Sequence, residues 1–211
     1  MKKILIGVPA MDMCSSYFAQ SLAMLDRVED CAISFIIGSL VYDARNKICQ
    51  AAIVGEFEYI FWLDSDMIFP SNTLEHMFTV CEEENIDILT GLAFRRRAPY
   101  TPCIFKELDR DENGKIMFEG FDDYPDNKVF EVAGCGAACL LMKTDVLFDI
   151  AGADGNIWFN PEEGAGEDTA FCMRARKHGY KIFCDSRVKL GHVGVVPITE
   201  DTFKGTRKVP R

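Results

Sequence analysis

The stretch EYIFWLDSDMIFP, Glu58 to Pro70, decides how this chain is read: an apolar run stops at two aspartates, Asp64 and Asp66, with only Ser65 between them. Tyr59, Ile60, Phe61, Trp62 and Leu63 show no polar alternation, which predicts a strand buried on both faces of a parallel sheet. In open α/β sheets the ligand crevice lies at the carboxyl ends of such strands. The two carboxylates therefore stand where a ligand would meet them.

On either side of this strand the periodicity alternates. Upstream, KILIGV (Lys3 to Val8) reads as a first buried strand and Ser15 to Leu25 as a helix with Phe18, Leu22 and Leu25 at helical spacing. Ala32 to Ile37 reads as a second strand and Asp43 to Val54 as a second helix. Downstream, Ser71 is the expected N-cap of a helix with Glu75 in its first turn, and Ile86 to Thr90 is a further strand. This order predicts right-handed βαβ units and a mostly parallel α/β sheet flanked by helices. Residues 95–131 break the regularity with a Pro-rich turn, a hairpin signal at Asp111 to Gly114 and short strand-like pieces, which predict a small antiparallel region. Ala137 to Met142 is another apolar strand, with Thr144 capping a short helix.

A chain of 211 residues can bury a sizeable core, and no linker divides it, so a single domain is expected. No apolar stretch reaches membrane-spanning length, and MKKILIGVPAMD runs into a strand without a long apolar leader region, so the expectation is a soluble, cytoplasmic protein. The nine cysteines are odd in number and scattered through apolar segments, which predicts reduced, mostly buried thiols; Cys135 and Cys139 lack a second pair at zinc-finger spacing. A formal net charge of -10 argues against nucleic acid as a general partner. Arg95, Arg96 and Arg97 form a local basic patch, either a solvated loop or a contact for phosphate or acceptor.

Two more elements carry ligand-capable groups: Glu167 and Asp168 in GEDTAFCMRARKHGY, and His192 in KLGHVG. Each alone says little, because D-x-D recurs by chance, acids at a helix start complement the macrodipole, and a lone histidine is more often structural. A helix from about Glu167 to His178 places Asp168, Phe171, Cys172 and Ala175 on one face. Asp168 then heads the apolar stripe toward the body, and Glu167 lies nearer the flank with Ala170 and Arg174.

Six motifs taken together, IGVPAMD, ARNKICQAA, FWLDSDMIFP, GCGAACLLMKTDVL, GEDTAFCMRARKHGY and HVG, resemble in order and setting the GT-A fold glycosyltransferases, especially the family-2-like enzymes of bacteria and phages. The resemblance spans most of the chain. It implies a GT-A, Rossmann-like sheet with a nucleotide-binding half over about residues 1–94, an acceptor and catalytic half over about 95–196 and a tail over about 197–211. The activity it implies is metal-dependent transfer of a sugar from a nucleotide-diphosphate donor, a UDP-sugar, to a hydroxyl of a glycan, lipid-linked or protein acceptor. Asp66 would bind the metal directly, Asp64 would contact the ribose or reach the metal through water, and His192 would complete the coordination. Imidazole beside carboxylates favours manganese over magnesium.

The resemblance further implies inversion with Asp168 as general base and Glu167 beside it. Pro9, Ala10 and Asp12 would contact base and ribose, with Asp12 alternatively a turn former; Ser65 would line the donor site, and Arg45 and Asn46 would reach the nucleotide or its phosphates unless Arg45 is an exposed helix residue. Gly134 and Gly136 would allow close approach near the donor sugar or relieve crowding, and Trp158 would stack on an acceptor sugar or fill the core. Two other readings compete. A nucleotidyltransferase should carry a Gly-rich, basic loop after the first strand, which GVPAMDMCSS lacks, and a non-catalytic sugar-nucleotide or glycan-binding module has no need of the full set Asp64, Asp66, Asp168 and His192.

Overall fold

The computed structural model describes residues 2–27, 30–194 and 197–207. From the amino end the chain runs β1 (Lys3–Ala10), α1 (Ser16–Met24), β2 (Asp30–Ile37), α2 (Val41–Val54), β3 (Tyr59–Leu63), β4 (Met67–Ile68), α3 (Thr73–Glu84) and β5 (Ile88–Leu92). Three strands that make the small antiparallel region come next: β6 (Ile104–Arg110), β7 (Ile116–Gly120) and, after β8 (Val129–Val132), β9 (Gly134–Cys135). The chain then follows β10 (Cys139–Lys143), α4 (Asp145–Asp154), α5 (Glu167–Lys177), β11 (Ile182–Lys189), β12 (Gly191–Val193), β13 (Pro197–Ile198) and α6 (Glu200–Arg207).

The central sheet has seven strands in the order β2-β1-β3-β10-β5-β11-β8. Parallel pairing of β1 with β2 and β3, and of β5 with β11, makes it mostly parallel; β10 and β8 run against the rest. The expected α/β sheet is present. Strands from both halves of the sequence interleave in it, because β10 fills the slot between β3 and β5. All five residues of β3 are buried, as their unbroken apolar character requires of a strand covered on both faces. Helices supply that cover: α2 lies over one face through Ile48, Cys49 and Ala52, and α3 over the other through Leu74, Met77 and Cys81.

The hairpin expected at Asp111 to Gly114 joins β6 to β7. Asp111 Oδ1 accepts from the amides of Asn113 and Lys115, and Gly114 takes φ +79°, which a side chain would resist. Elsewhere local expectation gives way. Ser71 does not cap α3; Asn72 holds that position, and Ser71 Oγ instead donates to Asp26. Thr144 precedes α4 without a side-chain cap bond. Of the nine cysteines, all free, Cys49, Cys81, Cys135, Cys139, Cys172 and Cys184 are buried, and only Cys14 is exposed. Among the described residues no helix is long and apolar enough to cross a membrane.

One polar knot ties α3 to β11. The side chain of Asp185 is fully buried; it accepts from Arg187 Nε, Arg187 Nη2 and the Arg187 amide, each within 2.9 Å, and meets His76 Nε2 at 2.8 Å. Burial pushes this carboxyl up, but the bonds from Arg187 and His76 outweigh it and hold the group below the usual carboxylate range. A depressed folded pKa means stability that is present above the unfolded value near ~3.9 and is lost as pH falls through the folded value. Asp185→Asn is therefore expected to cost about 1.5–3 kcal/mol at neutral pH, the range for hydrogen bonds to a charged group. Urea titrations at pH 7 and below pH 4 check it, since the gap to wild type should narrow on acidification.

Candidate functional site

The candidate residues converge because β3 ends in a tight turn. The amide of Met67 donates to Asp64 O at 3.1 Å, and the Asp64 amide is held by Ala138 O of the neighbouring chain segment at 3.0 Å. Turning within three residues sends the two aspartates different ways. Asp64 faces inward to Arg45, whose Nη2 lies 2.9 Å from Asp64 Oδ1. Asp66 faces β12, which pairs antiparallel with β4 so that His192 lies opposite Met67, and Val193 donates its amide to Asp66 O at 2.8 Å.

That pairing brings His192 Nε2 to 3.4 Å from Asp66 Oδ1, across 126 residues of sequence (192 minus 66). The other ring nitrogen, Nδ1, is 2.8 Å from Phe94 O. A carbonyl only accepts, so Nδ1 carries the proton and neutral His192 presents the Nε2 lone pair to the carboxylate. Two lone-pair groups face each other and require a proton or a cation between them. With a proton there, the ring is imidazolium: burial disfavours that form, but the bonds to Asp66 and Phe94 O outweigh it and raise the histidine above its ordinary value. Burial likewise pushes Asp66 up, and the His192 bond with the charges of His192 and Arg96 holds it below the carboxylate range instead.

Arg45 links this end of the site to Asp168. Its side chain is 1% exposed, Nε lies 3.4 Å from Asp168 Oδ1, and the guanidinium sits 5.6 Å from the Trp62 ring and 5.7 Å from the Phe159 ring. The guanidinium thus faces two carboxylates and two aromatic rings at once, so Arg45 is neither an exposed helix residue nor a fork open to phosphates. Asp168, the second residue of α5, heads the buried stripe of Phe171, Cys172 and Ala175. Burial raises its pKa, with the negative charge of Asp64 adding to the effect and Arg45 opposing it. Glu167 is also raised, by burial and by Asp168.

Two cavities open on these groups. One of about 270 Å³ is lined by Pro9, Ala10, Ser65, Asp64, Asp66 and Arg96, with Met11, Ser39, Val41 and Ala44 completing the wall. The second, of about 240 Å³, is lined by Asp168, Glu167, Gly136, Arg95, Cys103 and Phe105 among others. Glu167 therefore shares the Asp168 cavity and is not turned to the flank. A larger cavity of about 740 Å³ runs beside α5, but Arg110 and Arg174 there are both committed to Glu162, and Arg176 to Leu108 O.

Several expected contacts are not brought to the cavities. Asp12 is exposed, and its neighbour Met11 lines the wall instead. Asn46 donates to Asn160 Oδ1 at 2.6 Å and accepts from the Phe159 amide at 2.9 Å, fastening α2 to the loop before α5. Gly134 is a packing glycine, since a Cβ there would come within 2.6 Å of Leu108 Cδ2; Gly136 alone of the pair faces Asp168. Trp158 fills the core, 1% exposed, with Nε1 donating to Leu147 O. Its glycine- and proline-rich surroundings suggested a loop surface, yet the indole had an apolar pocket and a carbonyl partner within reach.

Sequence reasoning left Phe94 unassigned, whose carbonyl sets the His192 tautomer, and placed Arg96 only in a basic patch, without its partner: Nη1 lies 2.8 Å from Asp66 Oδ2. Both follow β5 at the carboxyl edge of the sheet, and that position was the available signal.

No dedicated metal cage is formed: among the described residues no group of three His, Cys, Asp or Glu side chains is gathered around one point. Asp66 and His192 are two donors facing each other. That number suits a cation held jointly by the protein, waters and substrate phosphates, as hard divalent ions commonly are.

No family model and no curated protein matches this chain. Among solved structures, that of A197 from STIV is similar in fold, with a TM-score of 0.62 and 15% identity over 92% of this chain and 86% of that one.

Proposed function

We propose that this protein is a metal-dependent glycosyltransferase of the GT-A type that moves a sugar from a nucleotide-diphosphate donor, a UDP-sugar, to an acceptor hydroxyl with inversion. The observation that carries this reading is the His192–Asp66 pair: a histidine locked by Phe94 O to present Nε2, facing a carboxylate at the edge of the sheet where Asp64 and Asp168 also gather. Asp66 and His192 would hold manganese or magnesium, which when bound neutralises the charge growing on a diphosphate leaving group. The cavity walled by Pro9, Ala10, Ser65 and Asp64 would take the nucleoside, and that of Asp168, Glu167 and Gly136 the sugar and acceptor.

In this reading Asp168 removes the acceptor hydroxyl proton as that oxygen bonds to the anomeric carbon, while the bond from that carbon to the diphosphate oxygen breaks and the nucleoside diphosphate leaves with the electron pair. A carboxylate whose pKa burial has raised is a stronger base than a free one. Arg45 keeps it ionised and oriented.

Calorimetry with manganese and UDP tests the metal half of the proposal. Asp66→Ala should abolish the manganese dependence of UDP binding, and His192→Ala should weaken it less, because neutral imidazole contributes less to a hard cation than a carboxylate. Release of UDP from UDP-sugars with and without manganese tests the rest. A protein that binds the donor but leaves it intact under every metal condition is a binding module and not a transferase.

A further inference from the structure

The carboxylate of Asp66 already has a cation on it. Arg96 Nη1 sits 2.8 Å from Asp66 Oδ2 while His192 Nε2 faces Oδ1, so a guanidinium occupies one of the two oxygens for which a divalent ion would compete. Arg96 is carried by a loop closed at its base by the Arg95 amide donating to Thr101 O at 3.0 Å and by a bridge between Phe94 and Pro102. Its side chain is 54% exposed, whereas that of Arg45, which pairs with Asp64, is 1% exposed. An ion pair this open to water contributes little to stability and exchanges partners readily. Arg96 also lines the same cavity as Pro9, Ala10 and Ser65, so its alternative partner would be whatever anion enters there. A guanidinium fork matches phosphate oxygens as well as it matches a carboxylate.

We propose that Arg96 is an exchangeable counter-ion of this site: with the site empty it neutralises Asp66 and opposes cation entry, and when cation and nucleoside diphosphate arrive together it moves onto the diphosphate. The inference rests on the reading of Asp66 as the metal-binding carboxylate. It makes binding of the two ligands cooperative, because each helps to draw Arg96 away from Asp66, and linkage requires that the coupling act equally in both directions.

The consequence is a pair of effects of opposite sign from a single substitution. Titrations of Mn²⁺ alone, UDP alone and UDP with saturating Mn²⁺ are run on wild type, Arg96→Ala and Arg97→Ala, the last removing an exposed arginine of the same loop that lines neither cavity. Arg96→Ala should bind Mn²⁺ alone about two- to fivefold tighter, having lost the competitor of an exposed pair. It should bind UDP in the presence of Mn²⁺ about tenfold or more weaker, having lost a charge-assisted bond to phosphate. Arg97→Ala should change neither. If Arg96→Ala shifts both affinities the same way or leaves both unchanged, or if Arg97→Ala reproduces its pattern, the exchange is refuted while the metal reading stands. If wild type binds Mn²⁺ neither alone nor with UDP, both fall.

Discussion

Asp168→Asn is expected to lower the rate of sugar transfer by at least ~10²-fold while leaving donor and metal affinity near wild type. The amide keeps the shape of the carboxylate at the head of α5 and can still lie against Arg45 Nε, so the helix start and the cavity wall should persist. What it loses is the ability to accept a proton from the acceptor hydroxyl. Because burial raises the pKa of Asp168, the acid limb of the wild-type pH–rate profile should lie above the ordinary carboxylate value of ~3.9, and that limb should disappear in the variant. Glu167→Gln is expected to be milder: both acids line one cavity, but only Asp168 is paired with Arg45 at Nε. Single-turnover rates measured in parallel decide the order. A Glu167 variant slower than the Asp168 variant would move the base role to Glu167, and near-normal rates in both would remove the general-base mechanism.

Arg45→Met is expected to lower both stability and activity. The guanidinium faces Asp64 and Asp168 together, at 2.9 and 3.4 Å, and it is packed against the rings of both Trp62 and Phe159. Removing one partner of a buried pair leaves the other charges uncompensated and typically costs about 3–5 kcal/mol. Asp64 and Asp168 retain some solvent contact, with side chains 29% and 28% exposed, so a loss at the lower end, about 3 kcal/mol, is expected. In a domain of this size that corresponds to a fall in Tm of about 6–12 °C. Arg45 also opposes the rise in the Asp168 pKa, so any residual activity should show its acid limb shifted to higher pH. Arg45→Lys should recover part of the stability but less of the activity, because its three donors sit on one nitrogen and cannot span Asp64 and Asp168 as Arg45 Nη2 and Nε do. An unchanged Tm together with an unchanged acid limb in Arg45→Met would show that Arg45 does not couple the two aspartates.

The sequence was most legible where one physical cause acts locally. The unbroken apolar run of Tyr59 to Leu63 required burial on both faces, and the alternation around it required a layered α/β sheet; the turn chemistry of Asp111 to Gly114 required a hairpin. The direction of β10 was not legible, because an apolar strand reads alike in either direction and its antiparallel place between β3 and β5 depends on long-range pairing. The cap of α3 was misplaced by one residue for a similar reason: Ser71 found a partner in Asp26, far away in sequence.

For the site, the residue types and their positions at strand and helix ends were readable from the sequence alone, since carboxylates that interrupt apolar runs have few places to go. The sequence by itself determined that Asp64, Asp66 and Asp168 lie at the boundary between a buried sheet and solvent. Only the tertiary structure decided what each of them faces. Arg45 reads as either a nucleotide contact or an exposed residue of a helix, yet α2 packs with that face against β3, so the charge is buried and must be shared between Asp64 and Asp168. His192 acquires its partner through the β4–β12 pairing and its tautomer through Phe94 O, and Arg96 reaches Asp66 across the same edge of the sheet. The physical reason is that burial and hydrogen-bond partners are properties of the space between elements, and residues distant in the chain supply that space.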